Sequence, residues 1–415
     1  MGDPSPEAWS RVHRYASWMH HVHVDEKSVL GEETFRKLRL NSPAGEWFPA
    51  LQGLTWCITR SNHPYVDLFF SPHLTSVDIF VPPSWKNSEV PRNILPAITS
   101  VISALPTPTL RTLFVEVDCH GTSSSYFKDS LSSVILRCGP SLTRLFSPIP
   151  LSDAAINHLI HLPHLRHWHI EYPPPNYSTS SLPLVFPPLK DFLLVEGAAR
   201  GWLSLFKRLV DRVSSTQDMI PLSRIKESLE SLMIEDFTDS TIDVSLASTI
   251  QTFRNLDHLK VEFHCDGDGG LQCAFKLNDE NIIELAMALP RLEVLFLGHP
   301  CYENSCATTI ACLLQISVHC VKLRSLEIHF NTTNIVDDFK NLSGDPRFQE
   351  LRLLPKCALS CLDVCEIPFA LDESDFETVA DGMADIFPYL ERCDGLDEIW
   401  DGLNEKIVWV QRKRP

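Results

Sequence analysis

The sequence lacks several features that would assign it to a common class. No apolar stretch approaches the roughly 20 residues that cross a membrane, and the N-terminus, MGDPSPEAWSRVHRYASW, has no apolar core of the signal-peptide type. Basic residues are scarce: the sequence has 36 Lys and Arg against 53 Asp and Glu, which gives a formal net charge of −17. Nucleic-acid binding needs a concentrated basic surface. We therefore expect an intracellular protein, cytoplasmic or nuclear, that binds neither membranes nor nucleic acids.

Catalytic and metal-binding motifs are also missing. The sequence contains no G-x-x-x-x-G-K-[ST], no strand-bounded G-x-G-x-x-G, no G-x-S-x-G and no H-E-x-x-H. Cys357, Cys361 and Cys365 recur every four residues, but on a strand they would span about 13 Å, too far for one zinc ion. The five histidines between His158 and His169 are better read as polar surface residues than as a catalytic group. We predict no enzyme activity, no metal site and no cofactor.

One stretch shows how the chain is organised. Residues 151–170, LSDAAINHLIHLPHLRHWHI, combine a helix start at Ser152 and an apolar helical stripe with a stop at Pro163. Leu165, Trp168 and Ile170 then have the L-x-x-φ-x-φ spacing (φ apolar) of a leucine-rich-repeat strand. The same order of features returns at residues 277–297, LNDENIIELAMALPRLEVLFL. The chain is therefore predicted to be a repeat array.

Phased leucines and prolines extend this pattern over most of the sequence. Twelve predicted strands start at Leu51, Leu74, Leu110, Leu142, Leu165, Leu189, Leu229, Leu256, Leu292, Leu323, Leu359 and Leu390. Eight of these leucines have a proline two residues earlier, where chance placement of 30 prolines in 415 residues would give about one. We predict an α/β leucine-rich-repeat solenoid, an irregular horseshoe or arc with a parallel sheet on its concave face and helices and loops on its convex face.

The units are uneven, since they begin 23 to 40 residues apart and only Asn331 occupies the position where standard repeats carry Asn or Cys. The predicted organisation is an N-terminal helical lead and cap over 1–45, a solenoid of about twelve irregular units over 46–400, and a C-terminal strand and basic tail over 401–415.

Alternation within each strand predicts which side chains face a partner. The first, fourth and sixth positions of each unit point into the core, and the third, fifth and seventh point outward. The fifth positions are Phe114, Phe146, His169, Leu193, Met233, Lys260, Phe296, Glu327 and Asp363. Such an apolar row on a concave face is typical of a partner-binding surface, with an acidic border at Glu116, Glu171, Glu235 and Glu262 followed by His329. The alternative is a one-residue register slip, which would put the phenylalanines in the core.

Three segments carry a resemblance to a known family. Residues 9–16, WSRVHRYA, resemble the W-x-R-[FV]-x-x-Y-A segment that follows the F-box in fungal leucine-rich-repeat F-box proteins. Residues 48–56, FPALQGLTW, and 68–79, LFFSPHLTSVDI, resemble the next two segments of that family. The resemblance implies the substrate-recruiting part of an SCF-type ubiquitin ligase, in which the repeats hold a protein substrate.

The chain departs from that family where the F-box would stand, because no L-P-x-E-like helical segment precedes Trp9. We expect binding to the Skp adaptor only if an F-box lies upstream. The predicted function is therefore a non-catalytic protein-binding repeat protein that resembles an F-box receptor. The alternative is an orphan structural scaffold without a ubiquitin-ligase role.

Overall fold

Parallel strands and helices alternate along the chain in the computed structural model. The structure describes residues 5–25, 31–41, 47–59, 62–80, 95–116, 124–147, 149–170, 187–195, 227–236, 244–263, 277–298, 308–328, 330, 334–363, 375–394 and 398–413. The chain divides into two compact units, Met1–Leu189 and Lys190–Pro415.

The first unit contains six parallel strands whose order in the sheet follows the chain. They are β1 (His21–Val24), β2 (Gly53–Cys57), β3 (Ser76–Phe80), β4 (Thr112–Glu116), β5 (Arg144–Ser147) and β6 (His167–Ile170). The helices are α1 (Pro6–Ala16), α2 (Glu32–Leu40), a 3₁₀ helix (His63–Phe69), α3 (Leu95–Ser103), α4 (Ser124–Arg137) and α5 (Asp153–Ile160).

The second unit has the same arrangement with seven parallel strands. They are β7 (Asp191–Val195), β8 (Ser231–Asp236), β9 (His258–Phe263), β10 (Val294–Leu297), β11 (Ser325–Ile328), β12 (Cys361–Asp363) and β13 (Arg392–Asp394). The helices are α6 (Val244–Ile250), α7 (Asp279–Ala288), α8 (Ile310–His319), α9 (Ile335–Gly344), α10 (Pro346–Arg352), α11 (Phe376–Ile386) and α12 (Glu398–Lys413). No helix in the described ranges is long and apolar enough to cross a bilayer.

The predicted leucine spacing sets the strand register. Each of the twelve predicted leucines stands two residues before a strand. In the β4 unit, Leu110, Leu113 and Val115 at the first, fourth and sixth positions are fully buried. Alternation of side chains along the strand sends these three into the core and the residues between them to the other face. The predicted α/β leucine-rich-repeat fold is confirmed.

Local hydrogen bonds fix where helices begin and how units join. Ser152 caps α5 by accepting a bond from the Ala155 N–H, and Asn278 and Asn281 form a reciprocal capping box at α7. Between units, the second-position N–H donates to the second-position carbonyl of the preceding unit, as from Arg111 to Thr75. Within each unit, repeating this bond holds neighbouring strands in the same register.

Two terminal predictions need correction. The predicted helical lead contains a strand, β1, whose first position is Met19 instead of leucine. Residues 401–415 were predicted to hold a strand, but residues 398–413 form helix α12, in which Leu403, Ile407 and Val410 are buried. Their spacing of three to four residues matches the period of a helix. The predicted boundaries at residues 45 and 400, and the cap role of the lead, stay predictions.

Helix α12 closes the last strand of the second unit. The Asn404 side chain accepts a hydrogen bond from the Cys393 N–H and donates one to the Cys393 carbonyl. These are the two backbone groups that a further parallel strand would otherwise pair with. A side-chain amide thus satisfies the edge of the sheet, where unpaired backbone groups would invite association with other strands.

Candidate binding surface

In each unit, the side of the sheet that carries the third, fifth and seventh positions is called the strand face. In the first unit, its fifth positions form one row in register, which consists of His23, Thr55, Asp78, Phe114, Phe146 and His169. The three predicted residues of this unit, Phe114, Phe146 and His169, therefore lie side by side on neighbouring strands. No register slip occurs, and the two phenylalanines are half-buried on the strand face instead of in the core.

The centre of this row is an aromatic cluster. The Phe114 and Phe146 rings stack with their centroids 4.0 Å apart and their planes 8° from parallel. The His169 ring meets Phe146 edge-on, with 4.0 Å between centroids and 68° between planes. His169 is only 9% exposed, and this burial lowers the pKa of its imidazole from 6.5 to about 4. At neutral pH the cluster is therefore uncharged.

A carboxylate borders the cluster on its other side. Asp78 on β3 pairs in register with Phe114, and the Thr55 hydroxyl donates a hydrogen bond of 3.2 Å to its Oδ2. Asp78 is half-buried. Burial raises the pKa of this carboxyl above its usual 3.8, although the Thr55 hydrogen bond and the charges of Arg144 and His23 act in the opposite direction. Desolvation of the charged form is the dominant effect.

The second unit carries the remaining predicted residues in a second row. Leu193, Met233, Lys260, Phe296, Glu327 and Asp363 are paired in register from β7 to β12, and all six are half-buried on the strand face. The row changes in character along the sheet, from apolar at Leu193 and Met233 to acidic at Glu327 and Asp363.

Lys260 lies at the centre of this second row, between two carboxylates and a ring. Its Nζ is 2.6 Å from Glu262 Oε2, 3.6 Å from Glu235 Oε1 and 5.1 Å from the Phe296 centroid. Partial burial alone would lower the pKa of Lys260, but the hydrogen bonds and charges of Glu262 and Glu235 outweigh it and raise the pKa above 10.5. The surface therefore holds an ammonium group by a cation–π contact and two ion pairs.

The structure describes three of the five predicted border residues. Glu116 on β4, and Glu235 and Glu262 on β8 and β9, occupy the seventh positions as predicted, and Glu235 and Glu262 pair in register. Glu171 and His329 lie outside the described residues. The partner-binding role of both rows and of this border stays a prediction.

The sequence-based list missed three members of the first row. His23, Thr55 and Asp78 occupy fifth positions in the units that begin at Met19, Leu51 and Leu74. The same counting rule finds Thr55 and Asp78. His23 is found only if methionine is accepted in the leucine position. Asp78 is the most informative omission, because it places a charge beside the aromatic cluster.

Other reactive side chains are buried in the core. Burial raises the pKa of the Cys138 and Cys320 thiols to about 12 and that of Cys357 to about 11. These groups stay protonated at neutral pH, whereas thiolates are the nucleophilic form of cysteine. Within the part of the chain that the structure describes, no three His, Cys, Asp or Glu side chains are grouped so that they could hold a metal ion.

Comparison with known proteins does not assign the chain. No protein-family model matches it, and no curated protein matches it either. The resemblance of residues 9–16, 48–56 and 68–79 to F-box repeat proteins therefore stays a prediction. What the chain does must be argued from the strand face itself.

Proposed function

We propose that this protein is a non-catalytic repeat protein that binds another protein on its strand face. The observation that carries the proposal is the stacked pair of Phe114 and Phe146. Strands with one face in solvent normally alternate apolar and polar residues, so two half-buried aromatic rings on the outer face are unexpected for a surface that stays in water. Aromatic residues are enriched at the energetic centres of protein interfaces.

The surroundings of the pair fit the same role. Asp78 and Arg144 place charges near the rings, and the Glu116 carboxylate lies two residues beyond Phe114 on the same side of β4. An apolar centre with a polar border is the usual anatomy of a protein-binding surface. Successive strands extend this surface along the sheet, which suits an extended partner segment.

Within this proposal, the bound protein is the substrate of an SCF-type ubiquitin ligase. The support is the resemblance of residues 9–16, 48–56 and 68–79 to the fungal F-box repeat family. In the first unit these residues contribute to α1, β2 and β3, so the resembling segments belong to the same folded body as the aromatic cluster.

Photo-crosslinking tests the proposed surface directly. Thr112 on β4 is a half-buried third-position residue of the strand face, and Asp129 on α4 is exposed on the helical side. We expect p-benzoylphenylalanine at Thr112 to crosslink a protein from extracts of the native cells, and the same group at Asp129 to leave that protein uncrosslinked. The crosslinked protein is then purified and its affinity for the unmodified chain is measured.

The paired variant Phe114→Ala/Phe146→Ala connects the crosslink to the aromatic cluster. We expect its affinity for the purified partner to fall on the order of tenfold or more. Because both rings are only half-buried, the variant should stay folded and lose about 2–3 kcal/mol of stability. Equal crosslinking from both positions, or unchanged affinity of a folded double variant, would show that the strand face is not the binding site.

A further inference from the structure

The strand face of the second unit binds the ammonium group of one of the chain's own lysines. On the second unit, Lys260 lies between Glu262 and Glu235 and over the Phe296 ring. Carboxylates neutralise the ammonium charge and the ring face adds a cation–π attraction. The pair Lys260–Glu262 is partly shielded from water, so it is screened less than an ion pair in open solvent.

Among its described residues, the first unit presents the same two kinds of group, a carboxylate and a ring, without a lysine between them. Asp78 pairs in register with Phe114, and adjacent strands lie about 4.8 Å apart, so a side chain on the carboxylate would also meet the ring. In the described part of the chain, the Asp78 carboxylate accepts a hydrogen bond from the neutral Thr55 hydroxyl, and Arg144 and His23 act on it by charge without a hydrogen bond. Arg144 stands two strands away, on β5, with its side chain exposed.

We propose that the first unit binds a partner segment that places a basic side chain, arginine in preference to lysine, on Asp78 and against the Phe114 ring. The inference rests on the proposed function and specifies the chemistry of the partner. A guanidinium group is planar, stacks on aromatic rings and donates two parallel hydrogen bonds to a carboxylate. The overall charge of −17 favours the approach of a basic segment.

The stability of the free protein provides a readout that binding assays do not. Burial raises the pKa of Asp78 above 3.8, so the folded protein binds more protons at this group than the unfolded chain does. The resulting cost of the charged form grows as the pH rises from 3.8 through the raised pKa and stays constant above it. Asp78→Asn should therefore raise the melting temperature at neutral pH, and this gain should disappear in acid. A carboxylate that stabilised the fold would give the opposite sign.

Selection from a random peptide library displayed on phage tests the partner chemistry. The library is selected in parallel on the wild-type chain, on Asp78→Asn, on Phe114→Ala/Phe146→Ala and on Asp129→Asn. The last variant removes the same charge from the exposed helical side. We expect arginine-rich peptides from the wild type and from Asp129→Asn, a loss of the arginine excess with Asp78→Asn, and a loss of these binders with the double phenylalanine variant.

A selected peptide is then synthesised with arginine and with the neutral isostere citrulline. On the wild type the citrulline peptide should bind about three- to tenfold more weakly, and on Asp78→Asn the two peptides should bind equally. Peptides that need the phenylalanines but show no arginine excess, or an excess that Asp78→Asn leaves unchanged, would overturn the assignment of Asp78 while the proposed function stands. If no selected peptide depends on Phe114 and Phe146, both proposals fail.

Discussion

His169 should make the stability of the first unit depend on pH between 6.5 and about 4. Its imidazole packs edge-on against Phe146 and is almost fully buried. A charged imidazolium in that position would lose its hydration, which is why the pKa falls from 6.5 to about 4. The perturbation is a decrease in pH, and His169→Phe is the variant that removes the titrating group while keeping a ring against Phe146.

The magnitude follows from the two pKa values. Unfolded chains protonate this histidine near pH 6.5 and the folded protein only near pH 4, so stability is full above 6.5 and is lost as the pH falls towards 4. Linkage gives a loss of about 1 kcal/mol at about pH 5.5 and about 2 kcal/mol at about pH 4.5, relative to neutral pH. These losses are large fractions of the stability of an ordinary domain.

Urea denaturation of the wild type and His169→Phe across this pH range measures the effect. Other groups titrate in both proteins, so the difference between the two unfolding free energies isolates His169. We expect this difference to change by about 2 kcal/mol in favour of the variant between neutral pH and about pH 4.5. A constant difference over the whole range would mean that the imidazole titrates normally and that the aromatic cluster is open to water.

Two further substitutions test the packing of the second unit, and Gly53→Ala in the first unit serves as a comparison. Gly382→Ala in α11 would normally stabilise a helix, but the added Cβ would lie 2.2 Å from the buried Phe339 ring. We expect a loss of about 1–3 kcal/mol by chemical denaturation, whereas Gly53→Ala should cost less because the nearest atoms there belong to an exposed histidine ring. Asn404→Ala should cost about 2–3 kcal/mol, because it removes the two hydrogen bonds that this side chain makes with the N–H and carbonyl of the buried Cys393. If this variant were as stable as the wild type, the hydrogen bonds of Asn404 would contribute nothing to the stability of the sheet edge.

Sequence reasoning worked for the strands because two independent constraints agree there. The alternation of a strand fixes which residues face the core, and the leucine two residues before it fixes the phase. The prediction of strands failed where another residue replaces this leucine, as Met19 does before β1. It also failed at residues 406–411, KIVWVQ, whose apolar residues satisfy the period of a strand as well as that of a helix. In the polar stretch 334–350, Ile335 and Phe339 alone supply the buried helical stripe of α9.

For the candidate surface, the sequence predicts which residues lie on the strand face but not which side chains contact one another. Counting along each unit placed Phe114, Phe146 and Phe296 on the strand face, and the structure has them there. Counting does not give the contacts, since those depend on side-chain torsions and on neighbours from other units. The ion pairs of Lys260 with Glu235 and Glu262 join residues of two strands, and the stack of Phe114 on Phe146 joins residues 32 positions apart.

The strand architecture separates folding from recognition. Truncation of a buried fourth-position leucine costs about 2–5 kcal/mol, so these positions have little freedom to change. Most of the described fifth-position side chains are half-buried between strands, and their chemistry varies from Phe114 through Lys260 to Asp363 without altering the register. A row of this kind can carry specificity at small cost to the core. Asp78 is the position where that cost should be measurable, because burial disfavours its charged form and, in our proposal, that charge serves a basic side chain of the partner.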